Sequence, residues 1–550
     1  MNFSIRSKKI LASLMAMTIV SGAAASNASM ISSIIPSVTI SASAAVSGNW
    51  EYTVQSNVAC ITKYTGSAQT VTVPSTIGGY TVRKLGAAFK NKTGVKTVTL
   101  PSTLTEIGKD AFYKAFNLTS VTIPNSVTKI DESAFEGTSK LTGLTLPSTL
   151  TTIGFSAFAE SGLYTVTIPS KVTSIGEWAF AACPNLNTAT FNNSNKMQTL
   201  SFAAFNECPN LKNVFLPAGL KTIDSYAFKE TGLKQIDIPS SVTMIKSDCF
   251  NNCTKLTTVN IQGTANLEIG VFSNCSVLNN LTMNTTTFTN AIKKAAFAGC
   301  PTNFKVNNKQ ILFHYSSGEP YFNPSYKSII EQNYGYITGY NVGFFDEYID
   351  YQINKVAVSV TANCHTTAQK VRALHDWICN KVSYAPVDPK PGHDYHHKEC
   401  VFMDVHAVCA GYADAFKALC DKAGVTSYYV SSYDHAWNIV KLGNRYFHVD
   451  VCHDDGNPVN YSHYLKSDND IKKCNTGHGS WTLLGSPAPS CPYSVGDVNM
   501  DGKITVADAD RICSYIAHLA TIPDTTLADV NGNGVVDISD SVAIHVMIGQ

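Results

Sequence analysis

The sequence predicts a multidomain protein in which a β-rich solenoid of short repeats is followed by an α+β domain and a small α-helical module. Three observations predict this order: a phrase that returns about every 23 residues, a change of composition after residue 320, and two Asp-rich loops near the end. The 550 residues are 44% hydrophobic and 15% charged, which is enough for several packed cores and excludes general disorder. The formal charge of +1 gives no support for a nucleic-acid-binding protein, because that function needs clustered basic residues.

The N-terminus has the pattern of an export signal. Three basic residues precede an apolar run from Ile10 to Val20, which is too short to span a bilayer. Residues 1–44 are therefore predicted to be a signal peptide, with cleavage after Ala44 favoured over cleavage after Ala25. A membrane anchor that is never cut is the alternative. No later segment has 18 uncharged apolar residues, so we expect a secreted protein with no membrane span after signal cleavage.

Residues 45–320 are predicted to form the solenoid, because one phrase runs repeatedly from a Pro to a Phe in this region. The complete copies are Pro101–Phe112, Pro124–Phe135, Pro147–Phe158, Pro169–Phe180, Pro217–Phe228 and Pro239–Phe250. A looser copy opens at Pro74, and incomplete copies end at Phe205, Phe272 and Phe297. Each unit holds one short β-branched strand, such as Val98–Leu100, and no single unit can bury its apolar surface, so the units must stack.

Five cysteines follow the repeat at one equivalent position. They are Cys183, Cys208, Cys253, Cys275 and Cys300. Because other units place Ala, Ser or Thr there, a column of small buried side chains is favoured over a disulfide framework. With a period of about 23 residues, the region resembles the leucine-rich repeats of BspA-like bacterial surface proteins. The resemblance implies a solenoid that binds a protein or glycan ligand, and a spacer is the alternative.

Residues 321–475 are predicted to form the α+β domain, since Tyr, His and Asp become frequent where the repeat ends. A helical pattern runs from residue 366 to about 381, and a second helix is expected to begin near Cys409. Two strands, His435–Leu442 and Arg445–Val451, follow and meet at a two-residue turn of the hairpin type.

The hairpin turn fixes a register that brings two polar side chains together. With Leu442 opposite Arg445, His435 and Asp450 become diagonal neighbours on one face. A Cys at a helix start beside a His–Asp pair is the arrangement of a nucleophile, a base and an orienting group. A helix N-terminus and a nearby imidazolium favour the thiolate, and His exchanges protons near neutral pH. The candidate catalytic residues are therefore Cys409, His435 and Asp450, with no cofactor expected for this triad.

At these residues the chain resembles the transglutaminase-like superfamily, whose members have a papain-like fold. The matching segments are AVCAGYA at 407–413, DHAWN at 434–438 and YFHVD at 446–450. The resemblance implies Cys409 as nucleophile, His435 as base and Asp450 as orienting residue. It also implies acyl transfer or hydrolysis at protein or peptide amides. A papain-like protease using the same residues and a non-catalytic adhesin are the alternatives.

Residues 493–550, after a linker predicted at 476–492, have the pattern of a calcium module. Two loops place oxygen ligands at positions 1, 3, 5 and 12 and a Gly at the sharp turn, and each precedes a helical stretch. Lys503 and Val535 can offer only carbonyl oxygens. Two calcium ions are expected, with ligands Asp497, Asn499, Asp501, Lys503, Asp508, Asp529, Asn531, Asn533, Val535, Asp537 and Asp540.

This duplicated loop and helix resembles a dockerin, the module that binds a cohesin of a scaffold protein, as in cellulosomes. The resemblance implies a protein attached to a scaffold or cell-surface complex. The positions that select the partner in this family correspond to Val506-Ala507 and Ile538-Ser539, and they leave the class of cohesin open. Calcium serving stability alone is the alternative. Dockerins often occur in polysaccharide hydrolases, so a role in polysaccharide breakdown would rest on this association of domains alone.

Overall fold

The structure, a computed structural model, describes residues 44–192, 196–336, 340–385, 394–474, 477–483 and 487–549. The predicted signal peptide lies outside these residues except for Ala44. Contacts along the chain divide the protein into two compact units, Met1–Thr287 and Phe288–Gln550. Within the described ranges, no helix combines the length and the apolar content needed to cross a membrane.

The first unit is built from ladders of short strands, which are parallel except among the first three strands and at Thr76–Ile77. The longest sheet contains Ala45–Ser47, Trp50–Gln55, Val58–Tyr64, Tyr80–Leu85, Glu106–Ile107, Lys129–Ile130, Thr152–Ile153 and Ser174–Ile175, with Thr76–Ile77 at its side. Two three-stranded ladders are Thr70–Thr72, Thr97–Thr99, Ser120–Thr122 and Thr165–Ile168, Thr188–Phe191, Asn213–Phe215. The remaining strands are Thr199–Leu200, Thr222–Ile223, Met244–Ile245, Asn266–Leu267, Gln235–Ile238, Thr258–Ile261 and Asn280–Thr282.

Most repeats contribute two strands where the sequence predicts one. The predicted strand forms at Thr97–Thr99, and a second pairs Glu106–Ile107 with Lys129–Ile130 of the next turn. The second strand is only two residues long and forms through backbone hydrogen bonds to neighbouring turns. It is too short to show an alternating pattern of apolar and polar residues, so the sequence does not predict it.

A column of phenylalanine rings runs through the core of the first unit. Its members close the repeated phrase and are Phe89, Phe112, Phe135, Phe158, Phe180, Phe205, Phe228, Phe250 and Phe272. Consecutive ring centroids lie 4.9 to 5.7 Å apart, with planes within 2° to 14° of parallel. Every ring is fully buried between its neighbours, which explains why the repeats have to stack.

The repeat cysteines form a second buried column, as predicted. The thiols of Cys183, Cys208, Cys253 and Cys275 each lie 3.0 to 3.3 Å from the carbonyl oxygen of a column Phe in the preceding turn. Ser161 and Thr231 occupy the same position in other turns and contact a cysteine sulfur at 3.3 and 3.2 Å. All sixteen cysteines of the chain fall within the described residues, where each is a free thiol.

The second unit combines helices with small sheets. Its helices are Pro324–Asn333, Gly343–Thr361, Thr367–Lys381, Glu399–Met403, Cys409–Lys422, Val451–Asp454, Asp468–Lys473, Val506–Ile516, Thr525–Ala528 and Ile538–Met547, with a 3-10 turn at Tyr334–Tyr336. Thr285–Lys293 is a helix that begins before the boundary between the units. Backbone hydrogen bonds also pair Lys305–Val306 with Lys309–Gln310, Leu312–His314 with Pro320–Phe322, and Ser383–Tyr384 with His406–Ala407.

A four-stranded antiparallel sheet organises the second unit. Its order is Ser427–Ser431, Ala436–Leu442, Arg445–Val449 and Tyr464–Lys466. Leu442 lies opposite Arg445, which confirms the predicted register of the hairpin. The Cys409–Lys422 helix packs against the Ala436–Leu442 strand, so the helix start and the hairpin base come together.

The segment assigned to a linker at 476–492 extends this domain where the structure describes it. Cys491 is fully buried with Trp437, and Trp481 lies 5.8 Å from Trp437 between ring centroids. Asp468 accepts the backbone N–H of Cys491 at 3.0 Å. Where the structure describes it, this segment has an irregular backbone that packs beside the sheet.

Candidate active site and calcium loops

Cys409 is the first residue of the Cys409–Lys422 helix, so its sulfur lies at the positive end of the helix dipole. Gly411 permits a close approach at the first turn. A Cβ at Gly411 would lie 2.6 Å from the carbonyl oxygen of Tyr395 and 2.9 Å from Cβ of Ala407. The glycine two residues after the cysteine therefore lets the preceding chain pack against the helix start and fixes the position of the thiol.

His435 stands just before the Ala436–Leu442 strand, where a tight turn sets its backbone. The His435 N–H donates to Oγ of Ser432 at 3.2 Å, and the Ser432 N–H donates back to the His435 carbonyl at 2.9 Å. The residue is 9% exposed, and its ring stacks on Trp437 with centroids 5.6 Å apart. Nε2 lies 2.6 Å from Oδ2 of Asp450, which leaves Nδ1 for the sulfur of Cys409.

Asp450 is fully buried and caps the Val451–Asp454 helix. Its Oδ1 accepts the backbone N–H of His453 at 3.2 Å. Its Oδ2 lies 2.6 Å from Nε2 of His435, 2.7 Å from Nδ1 of His453 and 2.8 Å from Nε2 of His478. Three imidazoles therefore converge on one carboxylate oxygen.

The charges of the three groups support each other. Burial would raise the pKa of Cys409, but hydrogen bonds from His435 and the Ala436 N–H hold it below its ordinary value. Burial would lower the pKa of His435, but its bonds to Asp450 and Cys409 raise it to about 9. Burial would likewise raise the pKa of Asp450, which the histidine contacts hold well below its usual range. These directions favour a thiolate–imidazolium pair beside a carboxylate.

Tyr384 stands at the mouth of this site. It is 57% exposed, and its phenol lies beside the sulfur and the backbone N–H of Cys409. Burial, followed by the nearby Cys409 sulfur, raises the pKa of the phenol. The backbone N–H of a nucleophilic residue is suited to stabilise the oxyanion of an acyl-transfer intermediate. Tyr384 therefore lies where such an oxyanion would have to bind.

The structure brings together the three residues that the sequence predicts, and it adds two that sequence analysis missed. His453 follows Asp450 by three residues, and a His at that spacing on a helix start was a usable signal. His478 reaches Asp450 across 28 residues from the segment assigned to the linker. No local pattern marks such a contact, because only the folded sheet brings the two segments together.

The first predicted calcium loop is already folded around its carboxylates. Asp497 accepts the backbone N–H groups of Asp501 and Gly502 at 3.0 Å each, and the fully buried Asp508 accepts the Asn499 N–H at 3.0 Å. Gly502 makes the turn at φ +85°. The Lys503 N–H donates to Asp501 at 2.9 Å. Burial, with Asp508 and Asp501 nearby, raises the pKa of Asp497.

The second loop repeats this arrangement. Asp529 accepts the Gly534 N–H at 2.9 Å, and the fully buried Asp540 accepts the Asn531 N–H at 3.0 Å. Oδ1 of Asp529 is buried without a hydrogen-bond partner. An unpartnered buried oxygen among clustered carboxylates fits a bound calcium ion, which takes oxygen ligands only.

Two further predicted ligands of the second loop are tied to the backbone. Asn533 accepts the Val535 N–H at 2.7 Å. Asp537 is half-buried, and it caps the following helix by accepting the Ser539 N–H at 2.7 Å.

Three family models match the chain. The BspA type leucine rich repeat region matches in six copies at residues 63–187 and 185–304. The transglutaminase-like superfamily matches residues 354–451, and the dockerin type I domain matches residues 495–548. These matches confirm the predicted architecture. Because type I dockerins are generally calcium-binding modules that bind cohesins, the combination indicates a docked, enzyme-like protein of the cell exterior or surface.

Individual proteins resemble only parts of the chain. The kyphoscoliosis peptidases of Homo sapiens and Mus musculus are 28% identical over 116 residues and 27% identical over 118. Each match covers 18% of this chain and 17% of the relative, so the chain spans about a sixth of these curated relatives. A leucine-rich repeat protein from Bacteroides ovatus is 29% identical, with a TM-score of 0.37, over 43% of this chain and 70% of that chain. The structure of a TGase is 18% identical, with a TM-score of 0.19, over 24% and 38%.

Proposed function

We propose that this chain, which joins BspA-type leucine-rich repeats to a transglutaminase-like domain and a type I dockerin, is a secreted, scaffold-docked cysteine enzyme acting on protein or peptide amides. The observation that carries the proposal is the 2.6 Å contact between Nε2 of His435 and Oδ2 of Asp450, beside a cysteine at a helix start. The hairpin supplies the base and its orienting group, and the helix supplies the nucleophile.

The reaction proceeds through a thioester. The Cys409 sulfur forms a bond to the carbonyl carbon, and the C–N bond breaks as His435 gives its proton to the leaving ammonia or amine. Asp450 holds the imidazole in the tautomer that presents Nδ1 to the sulfur. An amine or water then forms a bond to the thioester carbonyl carbon while His435 takes its proton, and the C–S bond breaks to release the Cys409 thiolate. The amine gives transfer and water gives hydrolysis.

The test is one incubation of the full chain with a glutamine-bearing protein, with and without a labelled primary amine. Wild type is compared with Cys409→Ala and with Cys513→Ala, which removes an exposed cysteine far along the sequence in the dockerin. Amine incorporation supports transfer if it is lost in Cys409→Ala and retained in Cys513→Ala. Release of ammonia from glutamine without incorporation, lost in the same variant, supports hydrolysis at the side chain.

A papain-like protease is the second candidate function, because a Cys–His–Asp site also suits peptide bonds. Fragmentation of the protein substrate that disappears in Cys409→Ala supports this candidate. If no product forms and iodoacetamide shows no preference for Cys409 over Cys513, the enzyme proposal fails.

We place the cohesin on the second helix of the dockerin. That helix exposes Ile538, Val542 and Val546 at 60%, 56% and 72%, whereas the first helix has Asp510 and Ser514 at the positions equivalent to Val542 and Val546. Val542→Asp with Val546→Asp should abolish cohesin binding, while Asp510→Ala should leave it intact. Equal loss in both variants would show that the contact is not confined to the second helix.

Calcium should be required for this docking. Asp497→Ala combined with Asp529→Ala, or chelation, is expected to remove cohesin binding, because both loops shape the helices they precede. Docking that survives both treatments would contradict this part of the proposal.

For the repeats we propose a protein or glycan ligand on a strand face. The ladder around Thr165–Ile168 presents polar Thr side chains next to two exposed aromatic rings, Tyr164 at 56% and Phe215 at 59%. Aromatic rings on a polar ladder suit both sugars and peptide surfaces. Binding to an array of glycans and proteins should weaken in Tyr164→Ala and Phe215→Ala, and an unchanged profile in both would favour a spacer.

A further inference from the structure

The cluster around Asp450 contains more histidine than a triad uses. Besides His435, the side chains of His453 and His478 direct ring nitrogens at Oδ2 of Asp450, at 2.7 and 2.8 Å. The four donor atoms all lie within 4.8 Å of one another. Asp450 and His478 are buried, while the His453 side chain is 29% exposed and opens a path from solvent.

Three imidazoles and one carboxylate are the donor set of a tetrahedral transition-metal site. With metal–ligand distances near 2.0–2.2 Å, such a site has ligands about 3.3 Å apart. The nitrogen–oxygen separations of 2.6 to 2.8 Å therefore need to grow by only about half an ångström. In return, the ion replaces the crowded hydrogen bonds on one oxygen.

The surroundings hold the rings in place. Trp437 packs on His435 and on His478, with ring centroids 5.6 and 4.6 Å away. His463 lies 5.2 Å from His453 and is anchored separately through the backbone and side-chain contacts to Asp454. Rings that neighbours already orient lose little freedom when they bind an ion.

His448, in a second cluster of polar side chains, differs from the histidines around Asp450. His448 accepts the Trp437 Nε1–H at 2.9 Å on Nδ1 and contacts Asp468 at 2.9 Å through Nε2. Both of its nitrogens are therefore committed to the framework of the sheet.

We propose that His435, Asp450, His453 and His478 form a binding site for a divalent transition-metal ion, with Zn²⁺ the best match, and that the ion switches the triad off. Bound metal takes Nε2 of His435 and the carboxylate that orients it, so the imidazole can no longer serve Cys409. The sulfur faces the other ring nitrogen and is not a ligand. The inhibitory part rests on the proposed function, whereas the site itself does not.

The site is tested by Co²⁺ titration of the full chain in excess calcium, which fills the oxygen-only loops. We expect the intense visible bands of four-coordinate Co²⁺, with displacement by Zn²⁺. His453→Gln and His478→Gln should each weaken Co²⁺ binding at least tenfold. His463→Gln, a matched change in the same ring cluster, and Cys409→Ser should leave it intact. The weak spectrum of six-coordinate Co²⁺, or unchanged affinity in both ligand variants, overturns the proposal.

Folding and activity are separated by two further measurements. If His478→Gln does not fold, Co²⁺ binding by His453→Gln tests the site, because the His453 side chain is partly exposed. Thermal unfolding of His453→Gln is the control for folding. Zn²⁺ should slow alkylation of Cys409 by iodoacetamide in wild type and much less in His453→Gln. Co²⁺ binding without any effect on Cys409 overturns the inhibitory part alone. If the metal-free wild type turns over no amide substrate although it binds Co²⁺ on titration, the proposed function fails and the site stands.

Discussion

Replacement of Asp450 by Asn tests the triad most directly, because the change keeps the side-chain size and removes the charge. In the structure Oδ2 of Asp450 takes three imidazole nitrogens at 2.6 to 2.8 Å. An amide oxygen at that place is a neutral acceptor, and the NH₂ group in the flipped orientation would face donors. Either way, the group that stabilises a protonated His435 is lost.

The magnitude follows from the contact that disappears. A hydrogen bond to a charged group contributes about 1.5–3 kcal/mol, and the Asp450 contact stabilises the imidazolium form of His435 in particular. Since each 1.4 kcal/mol is tenfold, the thiolate–imidazolium pair should be depleted roughly 10- to 150-fold. Turnover should fall by at least this factor, and by up to about 10⁴-fold if the wrong tautomer of His435 also dominates.

The assay is the rate of iodoacetamide alkylation of Cys409 against pH, followed by peptide mass spectrometry with the exposed Cys513 as internal reference. His435 has a pKa raised to about 9, so its proton is present below that pH and is lost above it. At pH 6 the Asp450→Asn variant should therefore react roughly 10- to 150-fold more slowly at Cys409, with Cys513 unchanged. The gap should close towards pH 9 and above, where a thiolate forms without the imidazolium.

Equal Cys409 rates at pH 6 in wild type and in a folded Asp450→Asn protein would refute the reasoning. Thermal unfolding establishes that the variant is folded, since burial makes this position sensitive. If Asp450→Asn does not fold, His435→Gln carries the same test, because it removes the imidazolium itself.

Three further predictions concern stability and calcium. Phe158→Ala opens a cavity in the ring column and should lower the free energy of unfolding by about 3–5 kcal/mol in denaturant titration, whereas Phe155→Ala, 36% exposed, should cost much less. Burial would lower the pKa of His375, but hydrogen bonds to the carboxylates of Asp376 and Asp454 raise it to about 10. The contribution of His375 to the free energy of unfolding is therefore full below pH 6.5 and is lost as the pH rises through about 10. If unfolding measured over a pH series is identical in His375→Gln, this prediction is wrong. Asp508→Ala and Asp540→Ala should each reduce calcium stoichiometry from two to one in calorimetry, and two remaining ions would exclude the residue as a ligand.

Features that repeat or that depend on local geometry could be predicted from the sequence. The Phe of the repeated phrase necessarily recurs at the same place in each turn, so stacking into a column follows from the period. The helix predicted from residue 366 begins there because Thr366 and Gln369 form a capping box. The hairpin register depends only on a two-residue turn, which is why His435 and Asp450 could be paired without a structure.

Features that depend on distant segments escaped prediction. The two-residue strands at Glu106–Ile107 and its equivalents exist through bonds to adjacent turns, so they carry no pattern of their own. His478 and Trp481 lie in a stretch whose composition is typical of a linker, and their roles follow from the sheet they cover. The crowding of three histidines on one carboxylate is likewise a property of tertiary packing.

The hairpin that carries His435 and Asp450 also meets the calcium module at its turn. A Cβ at Gly443 would lie 2.9 Å from Oγ1 of Thr526, and Arg445 forms an ion pair with Asp524. Nearby, Oγ1 of Thr366 donates to the carbonyl oxygen of Gly532, inside the second calcium loop, at 2.6 Å. Asp524 and Thr526 lie just before the second predicted calcium loop and Gly532 lies within it, so an ion bound there would hold in place the segment that makes these contacts. We therefore expect a calcium ion in the second loop to stabilise the domain that holds the triad as well as the dockerin.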